Sequence, residues 1–496
     1  MRHAGVLLHI SSLPASNFGD DAFRFIDFLT DIGASIWQTL PLNMPHDNGS
    51  PYQCLSAHAG NPKFISLDNL VKENLVKENL LNNDATGLGH SSADLQANRQ
   101  AALGDAYNCY KQSKNPSLQQ EFVKFCRENV TWLGDFALFM VLRKKFKNAS
   151  WNTWPQAYKD KQPAQMLKVK QFYAHEIAVI KFTQFLFFRQ WQALKNYANK
   201  NGVAMFGDIP LFVAFDSADV WAKPHLFKLD SDKNMQVVAG VPPDYFSETG
   251  QRWGNPHYNW PVMQRNGFTW WLNRIRTQQR MFDLLRIDHF RGLQAAWEIA
   301  ATEDTAINGA WALAPGKALL KAINKRFPTM QLIAEDLGVI TAEVDALRSE
   351  FNLPGMKILQ FAFGGEDNNP YLPHNIEENS VVYTGTHDND TTLGWYQQLD
   401  ENTKNDVLRR LQISELHISE PHMPQALVEL ALATQANIAI IPMQDILGLD
   451  SEHRMNTPGT VDKNWRWRFD WNALKSEDID SIKQAIQRNN RAHKWH

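Results

Sequence analysis

Eight short apolar runs, several of them ending in an acid, constrain the fold of this sequence more than anything else in it. They lie at residues 6–10, 35–40, 203–206, 283–288, 331–335, 356–361, 380–384 and 438–442. Runs this short and this apolar, bounded by turn residues, read as strands buried on both faces. Stretches with apolar residues at helical spacing stand between them, at 23–32 (stopped by Gly33), 317–325 and 341–351. Strand, helix and strand with short connections make a parallel α/β unit, and eight such units predict a closed barrel with its chemistry at the C-terminal strand ends. The expected fold is therefore α/β: a (β/α)8 TIM barrel with large helical and loop insertions between strands.

The barrel is expected in two parts, 1–66 and 201–496, split by a mostly helical insertion at 67–200. That insertion contains amphipathic stretches at 135–146 and 177–197 and a tandem V-K-E-N-L repeat at 71–80. A second excursion, 215–260, is rich in Pro, Gly, Asp and aromatic residues and shows no periodicity. Loops of that length are functional or disordered, and the aromatic density argues against disorder, so a mobile lid or substrate-binding loop is expected.

The fourth run continues as L-L-R-I-D-H-F-R-G (284–292). Residues two apart on a strand share a face, so Arg286 and Asp288 point the same way. Alone, this also fits a surface ion pair. The pattern recurs, however: Asp208 ends the third strand, Glu335 and Asp336 the fifth, T-H-D-N (386–389) the seventh, and Gln444 and Asp445 the eighth. All are expected to face one mouth. Like charges gathered in a cavity cost stability, which suggests a functional cause. Two or three carboxylates without a metal motif suit glycosyl transfer or hydrolysis. Asp288, beside Arg286, is expected below the usual carboxylate range and suits the nucleophile. Glu335, after an apolar strand, is expected above it and suits the acid/base. Asp388, flanked by His387, suits holding sugar hydroxyls. A metal site of Asp, Glu and His is the competing reading, but no His-x-x-x-His or EF-hand spacing supports it.

Composition narrows the partners. A net charge of −3 over 496 residues gives no reason to expect nucleic acid or an acidic membrane surface. No window offers about 18 uninterrupted apolar residues, and no signal peptide is read at the N-terminus. Three cysteines, odd in number and without a Cys-x-x-Cys pair, fit a reducing, cytoplasmic setting. Many of the 17 Trp and 28 Phe are expected in the core, but some Trp and Tyr stand in polar, Gly/Pro-rich loops, where they are expected to stack on a ligand. Tyr52, in the polar loop 46–62, reads either as a packed loop anchor or as a substrate contact.

The motifs taken together resemble those of the amylomaltases, or 4-α-glucanotransferases (glycoside hydrolase family 77), relatives of the α-amylases. They are S-P-Y-Q (50–53), A-G-N-P (59–62), G-D-I-P (207–210), G-V-P-P-D-Y-F-S (240–247), T-G-Q-R-W-G-N-P (249–256), R-I-D-H-F-R-G (286–292), A-E-D-L-G (334–338) and T-G-T-H-D-N-D-T (384–391). The resemblance implies a retaining double-displacement enzyme acting on maltooligosaccharides and α-1,4-glucans, with no cofactor or metal. It places Asp288 at the nucleophile, Glu335 at the acid/base and Asp388 at the transition-state stabiliser. It places Arg286, His289 and His387 around the reacting sugar and Asp208 at the acid of the third strand. Tyr52, Tyr245, Gln251 and Trp253 fall on substrate-contacting loops, with 245–253 a mobile segment over the cleft. It implies no C-terminal β-domain. The sequence begins close to its first strand, so the N-terminal extension that some family members carry is not expected, and a monomer or small homo-oligomer is expected. His58 stands where the family shows a bulky aromatic residue. A hydrolase of the same fold and a catalytically dead glucan-binding barrel are the rival readings.

Overall fold

The computed structural model describes residues 1–78, 92–113, 115–243, 247–411, 420–460 and 462–495. In chain order its strands are β1 (His3–Leu7), β2 (Ile36–Gln38), β3 (Ala204–Ile209), β4 (Val237–Val241), β5 (Gln251–Pro256), β6 (Leu284–Ile287), β7 (Ala295–Ala300), β8 (Gly309–Leu313), β9 (Gln331–Ala334), β10 (Gly355–Ile358), β11 (Ser380–Tyr383) and β12 (Ile438–Pro442). Eight form one parallel sheet in the order β10-β11-β12-β1-β2-β3-β6-β9. Strand parity sorts their side chains into two layers. Ala204, Phe206, Leu284, Ile333, Val381 and Ile440 fill the lumen. Met205, Leu285, Leu332, Val382, Ala439 and Ile441 belong to the layer against the helices. Both layers are buried, which is why these strands read as unbroken apolar runs.

The remaining joint, between β9 and β10, is closed without a ladder. The Ala334 amide donates to the Pro354 carbonyl (2.9 Å), and the Met356 amide donates to Asp336 Oδ1 (2.7 Å). A Cβ on Gly355 would lie 2.3 Å from Asp336 Oδ2, so this close approach requires glycine there.

The expected strands fall where the runs placed them, with shifted ends. The first lies at His3–Leu7, earlier than 6–10, because Ile10–Ser12 turns into a 3₁₀ segment. The sixth stops at Ile358 and continues as the 3₁₀ turn Leu359–Phe361. Gly33, at φ 81°, ends the helix Asp20–Ile32 in the left-handed region.

Between β2 and β3 stand the helices Ser92–Gln112, Pro116–Glu128, Leu133–Lys145, Pro163–Phe172 and Ala174–Lys200. The last one braces the loop after β2. Gln184 exchanges two hydrogen bonds with the backbone of Gly60 (2.8 and 2.9 Å), and Gln190 does the same with Ser66 (2.7 and 3.0 Å). A Cβ on Gly60 would sit 2.2 Å from the Phe187 ring, so the glycine of A-G-N-P is a packing requirement. The V-K-E-N-L tandem lies partly outside the described residues; its start falls in the helix Leu67–Lys72.

The excursion at 215–260 is not the structureless loop expected. It contains the helix Ala218–Ala222 and the strands β4 and β5, which join β7 and β8 in an antiparallel sheet of order β5-β4-β7-β8. Among the described residues no helix is long and apolar enough to cross a membrane.

Candidate active site

The lumen parity that buries Phe206 and Leu284 also turns Asp208 and Arg286 inward, directly opposite each other across the β3–β6 pair. Arg286 Nη1 donates to both oxygens of Asp208 (2.9 and 2.8 Å) and stands 3.0 Å from Asp288 Oδ1. The shared face expected for Arg286 and Asp288 is thus present. The network continues through Tyr52, whose hydroxyl donates to Asp208 Oδ2 (2.7 Å) and lies 2.8 Å from His387 Nε2. Since the phenol has one proton and gives it to Asp208, His387 Nε2–H is the donor in the second bond. His387 Nε2 lies 3.4 Å from Asp388 Oδ2, and its ring stacks on Tyr52 at 12°. Tyr52 is therefore both a loop anchor and part of the acid cluster.

Immediately after Asp288 the chain turns at His289, which adopts φ 53°. This left-handed turn is unusual for a residue with a side chain. It aims the His289 amide at Glu335 Oε2 (2.6 Å), while the Leu337 amide holds Oε1 (3.1 Å). One residue's backbone therefore ties the end of β6 to the carboxylate beyond β9. His289 Nε2 is buried without a protein partner among the described residues and meets the Trp253 ring edge-on at 4.8 Å. Gln251 accepts from Trp253 Nε1 (3.1 Å) at the rim. Tyr245 lies outside the described residues.

The electrostatics correct one expectation. Burial pushes Asp288 up, to about 8, with the carboxylates of Asp208, Glu335 and Asp388 adding to it against the pull of Arg286. Asp288 was expected below the usual range because only the adjacent arginine was legible; the desolvation of the barrel mouth was not. Glu335 is raised as expected, again by burial, against Arg286 and the His289 and Leu337 amides. Burial lowers His289 to about 3 and also lowers His387, so both rings are neutral near pH 7.

Two strand-end acids do not join the cluster. Asp336 is consumed in closing the barrel at Met356 and lies 3.4 Å from Arg348. Asp445 is pinned by the hydroxyls of Thr384 and Thr392 and by the Thr392 amide (2.8 Å). Conversely, two residues were missed. Asn456 Nδ2 donates to Asp388 Oδ1 (2.6 Å), and Arg454 Nη2 donates to the Asp388 carbonyl (2.7 Å). They come from R-M-N-T-P-G (454–459), a polar turn after the last barrel strand whose only signal was its Pro and Gly. His58 fills its aromatic slot as a neutral ring. It lies flat on Trp132 (6°, 5.6 Å), with Nδ1 2.9 Å from the Thr277 hydroxyl, and burial lowers it to about 4.

A parallel barrel carrying this chain of carboxylates at its mouth belongs to the class of barrel enzymes that act on glycosidic bonds. The chain is a member of the 4-alpha-glucanotransferase family, glycoside hydrolase family 77, whose profile matches residues 8–474. It is 45% identical to the 4-alpha-glucanotransferase of Thermus thermophilus, over 94% of this chain and 95% of that one. It is 44% identical to the one from Synechocystis sp., over 94% of both. The amylomaltase of Streptococcus agalactiae, solved in complex with acarbose, superposes with a TM-score of 0.94 at 35% identity, over 99% of this chain and 100% of that one.

Proposed function

We propose that this protein transfers a segment of an α-1,4-glucan to the 4-hydroxyl of glucose or another glucan, through a glycosyl ester on Asp288. The observation that carries this reading is the pairing of Asp288 with Arg286 while the next amide holds Glu335. Burial pushes both carboxyls upward, which favours the protonated form that an acid needs. Arg286 favours the ionised form of Asp288, the form that attacks, and Glu335 acts as the acid in its protonated form. In the first step an Asp288 oxygen bonds to the anomeric carbon, the glycosidic C–O bond breaks, and Glu335 protonates the departing 4-oxygen. In the second, Glu335 takes the proton of an acceptor 4-hydroxyl, whose oxygen displaces Asp288. Asp388, held at both its carboxylate and its carbonyl, is placed to bind sugar hydroxyls. The Trp253 rim supports transfer over hydrolysis, because a covered intermediate excludes water while a bound acceptor is retained. The unpaired cysteines Cys54, Cys109 and Cys126 support a reducing, cytoplasmic setting.

Incubation with maltotriose alone tests this. A ladder of longer oligomers with glucose is expected; glucose and maltose only would mean a hydrolase, and no change would mean a different donor or a glucan-binding barrel, which a glucan-binding assay would separate. A second expectation concerns Asn456. Asn456→Ala frees one Asp388 oxygen to swing, and kcat on maltotriose should fall about tenfold with a smaller change in KM. Unchanged kcat would mean that Asp388 is held without it.

A further inference from the structure

The second arginine of R-I-D-H-F-R-G has no part in the chemistry above, and its surroundings are unusual. Arg291 is only 8% exposed, and among the described residues no acid stands within ion-pair distance of it. Its Nη1 donates to the Val339 carbonyl, and its Nε is buried with no partner. A buried cation without a counter-charge is costly. What Arg291 does hold is an aromatic ring: its guanidinium lies 3.8 Å from the centroid of Trp311, a geometry worth more when the cation is desolvated.

Trp311 is on β8, the edge strand of the antiparallel sheet, directly opposite Trp297 of β7. The Trp297 indole donates to the Ala306 carbonyl (2.9 Å) and crosses the strand at Gly309, where a Cβ would sit 2.4 Å from the ring. It meets Trp311 at 64° and 5.2 Å. Trp311 is thus fixed by Arg291 on one face and by Trp297 at one side, yet remains 41% exposed. Ile307, Leu313 and Val339, all more than half exposed, extend the apolar surface around it. A free edge strand is normally blunted by charge; this one carries a rigid indole instead.

The patch is continuous with the acid cluster through the backbone. Arg291 follows Asp288 by three residues, and Val339 follows Glu335 by four. We propose that Trp311 is a binding platform for an α-1,4-glucan chain, outside the reacting subsite, with Arg291 as its rigid backing. The C–H faces of a pyranose ring match a flat indole flanked by aliphatic side chains. A chain bound at the acids and long enough to pass the Asp288 and Glu335 turns would lay a distal glucose on Trp311. This inference rests on the proposed glucan reading.

The test compares donors of different length in Trp311→Ala and Trp311→Phe. For Trp311→Ala, KM for amylose should rise about fivefold while kcat/KM for maltotriose stays unchanged. Trp311→Phe, which keeps a ring over Arg291, should recover most of the difference, while Trp311→Ala should melt below the wild type but stay folded at the assay temperature. Retardation of the protein in amylose-containing native gels should weaken in parallel. Equal loss on both donors, or no loss on either, would overturn the platform while leaving the transfer reaction standing. A wild-type protein that fails to disproportionate maltotriose would instead remove the functional reading itself. If Trp311→Ala altered the oligomeric state without altering donor-length dependence, the patch would be a contact between copies, and the glucan assignment would be wrong. Should Trp311→Ala not fold, Trp311→Leu preserves apolar packing without the ring, and the same donor comparison decides.

Discussion

Asp288→Asn should abolish turnover and stabilise the protein at once. The amide keeps the size of the carboxylate and an oxygen for Arg286 to bond, 3.0 Å away in the native protein. It cannot form a stable ester, so maltotriose disproportionation should fall by about 10⁴-fold or more. The gain in stability follows from the direction of the shift. In the folded protein Asp288 is held up to about 8, whereas an unfolded Asp titrates near ~4. Between those values the folded state binds more protons than the unfolded state, so native stability declines as pH rises through the window. The asparagine variant lacks that group. Its advantage should therefore grow from about pH 4 and level off above about pH 8. Water still reaches 30% of the side chain, so the gain is expected at about 1–2 kcal/mol rather than the full shift. Thermal unfolding at pH 5 and pH 8 reads it. Near-normal turnover in the variant would remove Asp288 from the chemistry; an advantage that shrank with rising pH would contradict the upward shift.

The same residue shows what the sequence could and could not reveal. That Arg286 and Asp288 share a face is a matter of strand periodicity, and it was legible. The barrel was legible for the same reason: strands covered on both faces must be apolar throughout, and runs such as I-A-I-I-P of β12 have few other readings. The ionisation of Asp288 was not legible, because it depends on how many carboxylates converge and how deeply the mouth is buried. Asp336 and Asp445 show the converse. Each ends a strand as Asp208 and Asp288 do, but a partner remote in sequence, the Met356 amide or the Thr384 and Thr392 hydroxyls, captures it. The antiparallel sheet was hidden by its own composition. β5 contains Gly254 and Pro256, which read as turns, and β7 and β8 are rich in alanine, a weak strand former. These strands exist because they pair with one another, with Trp297 opposite Trp311. Asn456 was missed because nothing local distinguishes an amide that orients an acid 68 residues away.

The largest loss of stability is expected from Arg286→Leu. Arg286 bonds both oxygens of Asp208, which is 1% exposed, and also neutralises Asp288. Without it Asp208 keeps only the Tyr52 hydroxyl and becomes a buried charge with no counter-ion. Removing one partner of such a pair costs about 3–5 kcal/mol. Activity should fall as well: Arg286 is the group that lowers Asp288 against its burial, so its loss leaves a smaller ionised fraction near neutral pH. Arg286→Lys should fold but remain roughly 100-fold less active, since a shorter, flexible lysine does not fix its nitrogen between Asp208 and Asp288 as the planar guanidinium fixes Nη1. The decisive comparison adds Asp208→Asn to Arg286→Leu. If the cost is that of an orphaned carboxylate, the double variant should recover a large part of the lost stability while remaining inactive, giving a strong coupling in the double-mutant cycle. Additive losses would show that Arg286 stabilises the barrel through its packing alone.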